Sequence, residues 1–132
     1  MSKQLIPAKK DQLDNFVDKV WGHEEWITNT ENYCGKKLFL KKGFRCSMHH
    51  HKIKDETFYI ASGKVFLETE HDGIIKNRVM TAGDIEHIKI GMWHRFTGLE
   101  ESEIFEFSTF HMEEDSVRKE VSGKVDLKDL GF

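Results

Sequence analysis

Residues 43–63 read GFRCSMHHHKIKDETFYIASG, with three histidines in succession, His49 to His51, and Glu56 five residues after the last of them. In a strand successive side chains alternate faces, so His49 and His51 share one face and His50 takes the other. A tight turn through residues 52–55 folds the next run, ETFYIAS, back beside the first and brings Glu56 up to the two imidazoles. This reading makes the stretch two strands and a turn, with a pair of ligands on one face and a third next to them.

Outward from this hairpin the same rhythm continues. From residue 36 the chain consists of short aromatic and β-branched runs separated by glycines and charged pairs: KKLFLKK, CSMHHHK, ETFYIAS, KVFLETE, NRVMTA, DIEHIKI, HRFTG and EIFEFSTFHM. Eight runs at this spacing predict an all-β fold, an antiparallel barrel or sandwich. Asp72-Gly73 is a type I′ hairpin signal, and Gly63, Gly83, Gly91 and Gly98 punctuate other corners. Upstream, Leu13, Phe16, Val17 and Val20 fall at helical spacing and predict a short N-terminal helix over 11–20. The polar tail from residue 112 reads as a helix or as an arm packing on a second subunit.

The chain's 132 residues suit one domain: an arm over 1–35, the barrel over 36–111 and the tail over 112–132. Its net charge is -3 with the signs interspersed, which argues against nucleic acid or an anionic membrane as partner. No apolar run approaches the roughly 18 residues of a membrane span and the N-terminus lacks a signal-like stretch, so a cytoplasmic protein is expected. Cys34 and Cys46 form no C-x-x-C pair and are read as structural thiols.

A further histidine, His94, opens the HRFTG run just after Gly91 and supplies a ligand from a distant part of the chain. Three imidazoles and one carboxylate suit one divalent transition metal. Nitrogen favours zinc, iron, nickel or copper, and the carboxylate admits manganese. A six-coordinate ion on His49, His51, Glu56 and His94 keeps two positions open. Phe58, Ile60 and Phe96 are expected on the inner wall, and Tyr59, of opposite parity to Glu56, outside it.

The full stretch 43–63 resembles the first cupin motif, G-x5-H-x-H-x4-E-x6-G, at Gly43, His49, His51, Glu56 and Gly63. The second motif, G-x5-P-x-G-x2-H-x3-N, is met at Gly83, Gly91 and His94, with Lys89 at the proline and Gly98 at the asparagine. The stretch VWGHEEWITNTENYCGKKLFLKKG is similar to a segment of cupins related to type II mannose-6-phosphate isomerase and other sugar isomerases. So is FEFSTFHMEEDSVRKE, through Ser108, Thr109, Asp115 and Arg118; Phe110 stands at a proline of that pattern. The resemblance implies a cupin β-jelly-roll, the same four ligands, and a sugar or sugar phosphate as substrate.

For such a substrate the expected activity is an isomerase or epimerase. Glu106 and His111 are candidate bases, and Glu56 is a third. The strand parity of Glu106 and His111 differs, which allows at most one to point straight inward. Arg118 and Lys41 or Lys42 are candidate phosphate contacts, and His87 a candidate neighbour of the ligands; His23 and His71 have no partner by spacing. Trp21 and Trp26, beside Tyr33, are expected to cover a barrel end or a subunit interface. A non-haem iron dioxygenase and a non-catalytic sugar-binding module are the alternatives, and sheet edges with an aromatic N-terminal segment suggest a homodimer.

Overall fold

The protein is described here by a computed structural model, over residues 15–132. Thirteen antiparallel strands form two sheets. The first holds β1 (Phe16–Lys19), β2 (Gly22–Asn29), β3 (Cys34–Leu40), β6 (Glu56–Ser62), β9 (Ile85–Ile88) and β11 (Ser102–Ser108), in the order β1-β2-β3-β11-β6-β9. The second is built on β10 (Trp93–Gly98). One edge of β10 pairs with β4 (Phe44–Arg45) and β5 (Met48–His51); the other pairs with β7 (Lys64–His71), which pairs in turn with β8 (Ile74–Thr81). Outside β5 and β4 lie β12 (Ser116–Glu120) and β13 (Gly123–Lys124).

All eight runs expected from the sequence are strands. The β7–β8 hairpin closes through Asp72 and Gly73, both at positive φ (52° and 75°), with His71 opposite Ile74, as the Asp-Gly signal predicts. Two glycines are required by close approach rather than by a turn signal alone. A Cβ at Gly63 would fall on the side chain of Ser102, and one at Gly98 would lie 2.5 Å from the Lys41 carbonyl oxygen. Gly98 therefore stands where the cupin motif has asparagine because β10 and the chain after β3 meet there.

The helix expected over 11–20 is corrected. Leu13 lies outside the described residues, but Phe16–Lys19 is β1, paired residue for residue with Gly22–Glu25. Edge pairing onto β2 wins over a four-point apolar spacing. The tail likewise pairs with its own chain: β12 lies along β5, Ser116 opposite His51 and Arg118 opposite His49. Among the described residues no helix is long and apolar enough to cross a membrane.

Alternation along each strand decides where the core ends and the pocket begins. The inward side chains of β3 run Cys34, Lys36, Leu38, Leu40; those of β6 run Glu56, Phe58, Ile60; those of β11 run Ser102, Ile104, Glu106. Register sets Leu38, Ile104 and Ile60 in one row and Lys36, Glu106 and Phe58 in the next. One end of the barrel is therefore packed apolar core, where Ile60, Val65 and Met80 are wholly buried, each such side chain contributing about 1.5–3 kcal/mol. The other end is lined by charged residues around a cavity of about 290 Å³.

Candidate metal centre

At the polar end β5 and β10 lie side by side with His94 directly opposite His49. His51 is on the same face as His49, two residues on, and the three imidazoles gather with candidate ligand atoms within 4.8 Å of one another. His50 takes the other face, where its ring meets Trp93 edge-on at 4.5 Å.

The ring nitrogens turned away from the cavity are engaged, which fixes the tautomers. His49 Nδ1 donates to the Ser47 carbonyl at 2.8 Å and His94 Nδ1 to the Met92 carbonyl at 3.0 Å. Carbonyl oxygen only accepts, so each Nε2 is left with its lone pair. His51 Nδ1 has Ser116 Oγ at 3.3 Å and Asp115 Oδ2 at 3.8 Å. Burial first, then the neighbouring His94, holds the His49 pKa well below the usual imidazole value, so it is neutral, the form that binds metal.

Glu56 enters from β6. Its Oε2 is 3.2 Å from Nε2 of both His51 and His94, yet among the described residues none of these three buried atoms has a hydrogen-bond partner. Buried polar atoms are rarely left so, and three that converge fit a divalent ion as the missing partner. Burial opposes ionisation of Glu56, but its pKa is still held well below the carboxylate range, the Lys54 charge among the causes. The donor set of nitrogen and carboxylate oxygen is one that divalent transition metals accept.

Beside this cluster lies a second one, centred on Lys54, which sequence reasoning passed over. The Lys54 ammonium reaches Glu106 Oε2 at 2.9 Å, His111 Nδ1 at 3.1 Å and Glu56 Oε1 at 3.4 Å. Burial works against its charge, but Glu106 and Glu56 outweigh burial and raise its pKa. Glu106 is pulled below its usual value, burial being overcome by Lys54 and Lys36. His111, which donates from Nε2 to Glu113 Oε2 at 3.0 Å, falls to about 4 through burial and the charges of Lys36 and Lys54. At neutral pH the cluster thus holds an ammonium, a carboxylate and a neutral imidazole.

Both Glu106 and His111 line the cavity, so parity misjudged one of them. β11 ends at Ser108, and beyond it the alternation no longer applies. The side chain of the fully buried Asn29 grips the backbone of His111 instead, accepting from its N–H at 3.0 Å and donating to its carbonyl at 3.3 Å. Lys54 is placed by Asp115, whose carboxylate accepts the backbone N–H groups of Lys52, Ile53 and Lys54 at 2.9, 2.7 and 2.9 Å.

Arg118 lines the cavity mouth and pairs with Glu113 at 3.0 Å. Lys41 lies over the Phe44 ring, away from the cavity. His87 pairs with Asp55 at 2.6 Å at the surface rather than with the ligands, and His23 stacks on Phe16. Tyr59 is exposed, as its parity implies. Trp21 belongs to the core and also reaches the cavity, and Trp26 is a cavity wall, its ring meeting His111 edge-on. The signal for the inward Lys36 was legible: it is in phase with Leu38 and Leu40.

No family model and no curated protein matches the chain. Solved structures do. Oxalate decarboxylase from Bacillus subtilis is similar with a TM-score of 0.71 at 19% identity, over 78% of this chain and 29% of that one. The capsular polysaccharide assembling protein CapF from Staphylococcus aureus gives 0.70 at 18%, over 80% and 34%. KdgF from Halomonas sp. gives 0.62 at 18%, over 70% and 81%. The chain therefore spans about a third of the first two proteins, and at these identities the likeness is one of fold. The two antiparallel sheets and their likeness to these structures give the conclusion: the chain has the cupin fold, and its own His49, His51 and His94 form a site able to hold a metal ion.

Proposed function

We propose that the protein is a metal-dependent isomerase or epimerase of a sugar or sugar phosphate, with His49, His51, His94 and Glu56 holding the ion. The observation that carries this reading is the position of Lys54 Nζ between Glu56 Oε1 and Glu106 Oε2, which sets an acid–base pair against the metal cluster. A bound divalent ion would supply the electrophile that polarises a carbonyl and stabilises enediolate charge.

The chain's own residues handle the proton. Glu106 is ionised and is assigned as the base that takes it from carbon; Lys54 is protonated and is assigned to the substrate oxygen. His111 accepts from Lys54 and holds it in line. Trp26 and Phe58 narrow the cavity around a ring or chain of carbons. A homodimer remains part of the proposal, and light scattering showing a monomer at micromolar concentration would remove it.

The test is exchange of deuterium from solvent into the carbon next to the carbonyl of aldoses and their phosphates, with manganese or zinc added. Exchange by the wild type, lost in Glu106→Gln while metal binding persists, supports the assignment. Sugar binding without exchange in the wild type would instead favour a non-catalytic sugar-binding module.

A further inference from the structure

Lys36 is a buried inward lysine that makes no hydrogen bond to the Lys54 cluster. It is 2% exposed, lies on the inner face of β3 opposite both Trp26 and Glu106, and lines the same cavity as the three histidines. Its ammonium sits 3.9 Å from the centroid of the Trp26 ring. The nearest carboxylate oxygen, Glu24 Oε1, is 3.7 Å away, beyond hydrogen-bond reach, and already accepts from Trp26 Nε1 at 2.8 Å. Among the described residues none accepts a hydrogen bond from Lys36 Nζ.

Lys54 makes the contrast. Its ammonium hydrogen-bonds Glu106 and His111 and lies 3.4 Å from Glu56 Oε1. Lys36 keeps only the longer ion-pair contact with Glu24, with an aromatic face behind its ammonium and the cavity in front. An ammonium held in a sheltered cavity with no hydrogen-bonding acceptor gains a charge-assisted bond when an anionic oxygen arrives.

We propose that Lys36 is the receiver for an anionic group, a carboxylate or a phosphate, on the molecule that occupies this cavity. The inference rests on the sugar reading above and narrows it: the substrate is an acidic sugar derivative, with Lys36 on its anion and Trp26 packed beneath the ammonium.

The experiment titrates metal-loaded protein by calorimetry with glucuronate, glucose 6-phosphate and glucose, on the wild type, Lys36→Met and Lys36→Arg. At least one of the two anions is expected to bind about ten-fold or more tighter than glucose, and which one does so separates carboxylate from phosphate. Lys36→Met should bring anion and glucose to within about two-fold of each other, and Lys36→Arg should keep the preference. Lys36→Gln, neutral but polar, is the second variant should the methionine not fold, with the same loss expected. Equal binding of all three ligands by the wild type, or an unchanged preference without the Lys36 charge, overturns the anion site and leaves the sugar reading standing. Binding of none of the three overturns both. Absence of solvent exchange with the anion preference intact overturns only the isomerase reading.

Discussion

Asp115 Oδ2 accepts the backbone N–H of Lys54 at 2.9 Å, joining residues 61 apart in sequence. Through this bond and those to Lys52 and Ile53, one buried carboxylate from the tail holds the turn between His51 and Glu56. The geometry of two candidate ligands and of the buried lysine thus depends on a residue that belongs to neither motif.

Replacing Asp115 by alanine leaves the backbone donors of Ile53 and Lys54 without their acceptor, whereas the Lys52 N–H keeps the Asp115 backbone carbonyl at 3.2 Å. Each orphaned buried donor costs about 1–3 kcal/mol. Asp115→Ala should therefore lose on the order of 2 kcal/mol of stability in urea, with metal affinity reduced by about 10–100-fold. Unchanged metal affinity in a folded Asp115→Ala protein would show that the turn keeps its shape without the clamp.

His111 supplies a pH signature. Its folded pKa of about 4 lies below the ordinary value of 6.5, so the unfolded chain binds the proton more readily. By linkage the stability it contributes is fully present above about pH 6.5 and is lost as pH falls through about 4. A histidine resonance titrating near 4, absent in His111→Gln, is the expected nuclear magnetic resonance result. A value at or above 6.5 would mean that Lys36 and Lys54 do not bear on this ring.

The two cysteines should be inert in the native protein. Burial, the largest cause for both, pushes each thiol up to about 11. Cys46 Sγ also accepts the Phe96 N–H at 3.2 Å. Alkylation at pH 8 should be slow for both until denaturant is added, since the thiolate is the reactive form. Fast labelling of either under native conditions contradicts the burial described.

Much of the fold was legible because strand alternation is a local property. The inward sets Leu38–Leu40, Phe58–Ile60 and Ile104–Glu106 can be read two residues at a time, and the Asp72-Gly73 turn announces its own conformation. β1 and β12 were not legible in this way. Phe16–Lys19 owes its extended form to pairing with β2, and Ser116–Glu120 to pairing with β5, neither of which leaves a pattern in the segment itself.

The site divides along the same line. His49, His51 and His94 were readable from parity and spacing, and the structure gathers them. Lys54 was hidden because it lies in a turn, where alternation gives no direction, and its inward course is set by Asp115 from the tail. His111 was misjudged because Asn29, 82 residues away, turns its backbone after the strand has ended.

The central claim is that one divalent ion is held by His49, His51, His94 and Glu56, with His50 a bystander. Its most direct test is metal titration of untagged wild type, His94→Ala, Glu56→Gln and His50→Ala, read by calorimetry and elemental analysis. The account predicts one ion per chain in the wild type and in His50→Ala, and a loss of about 100-fold or more in affinity in His94→Ala and Glu56→Gln. A wild type that takes up no ion, or a His50→Ala protein as impaired as His94→Ala, would contradict it.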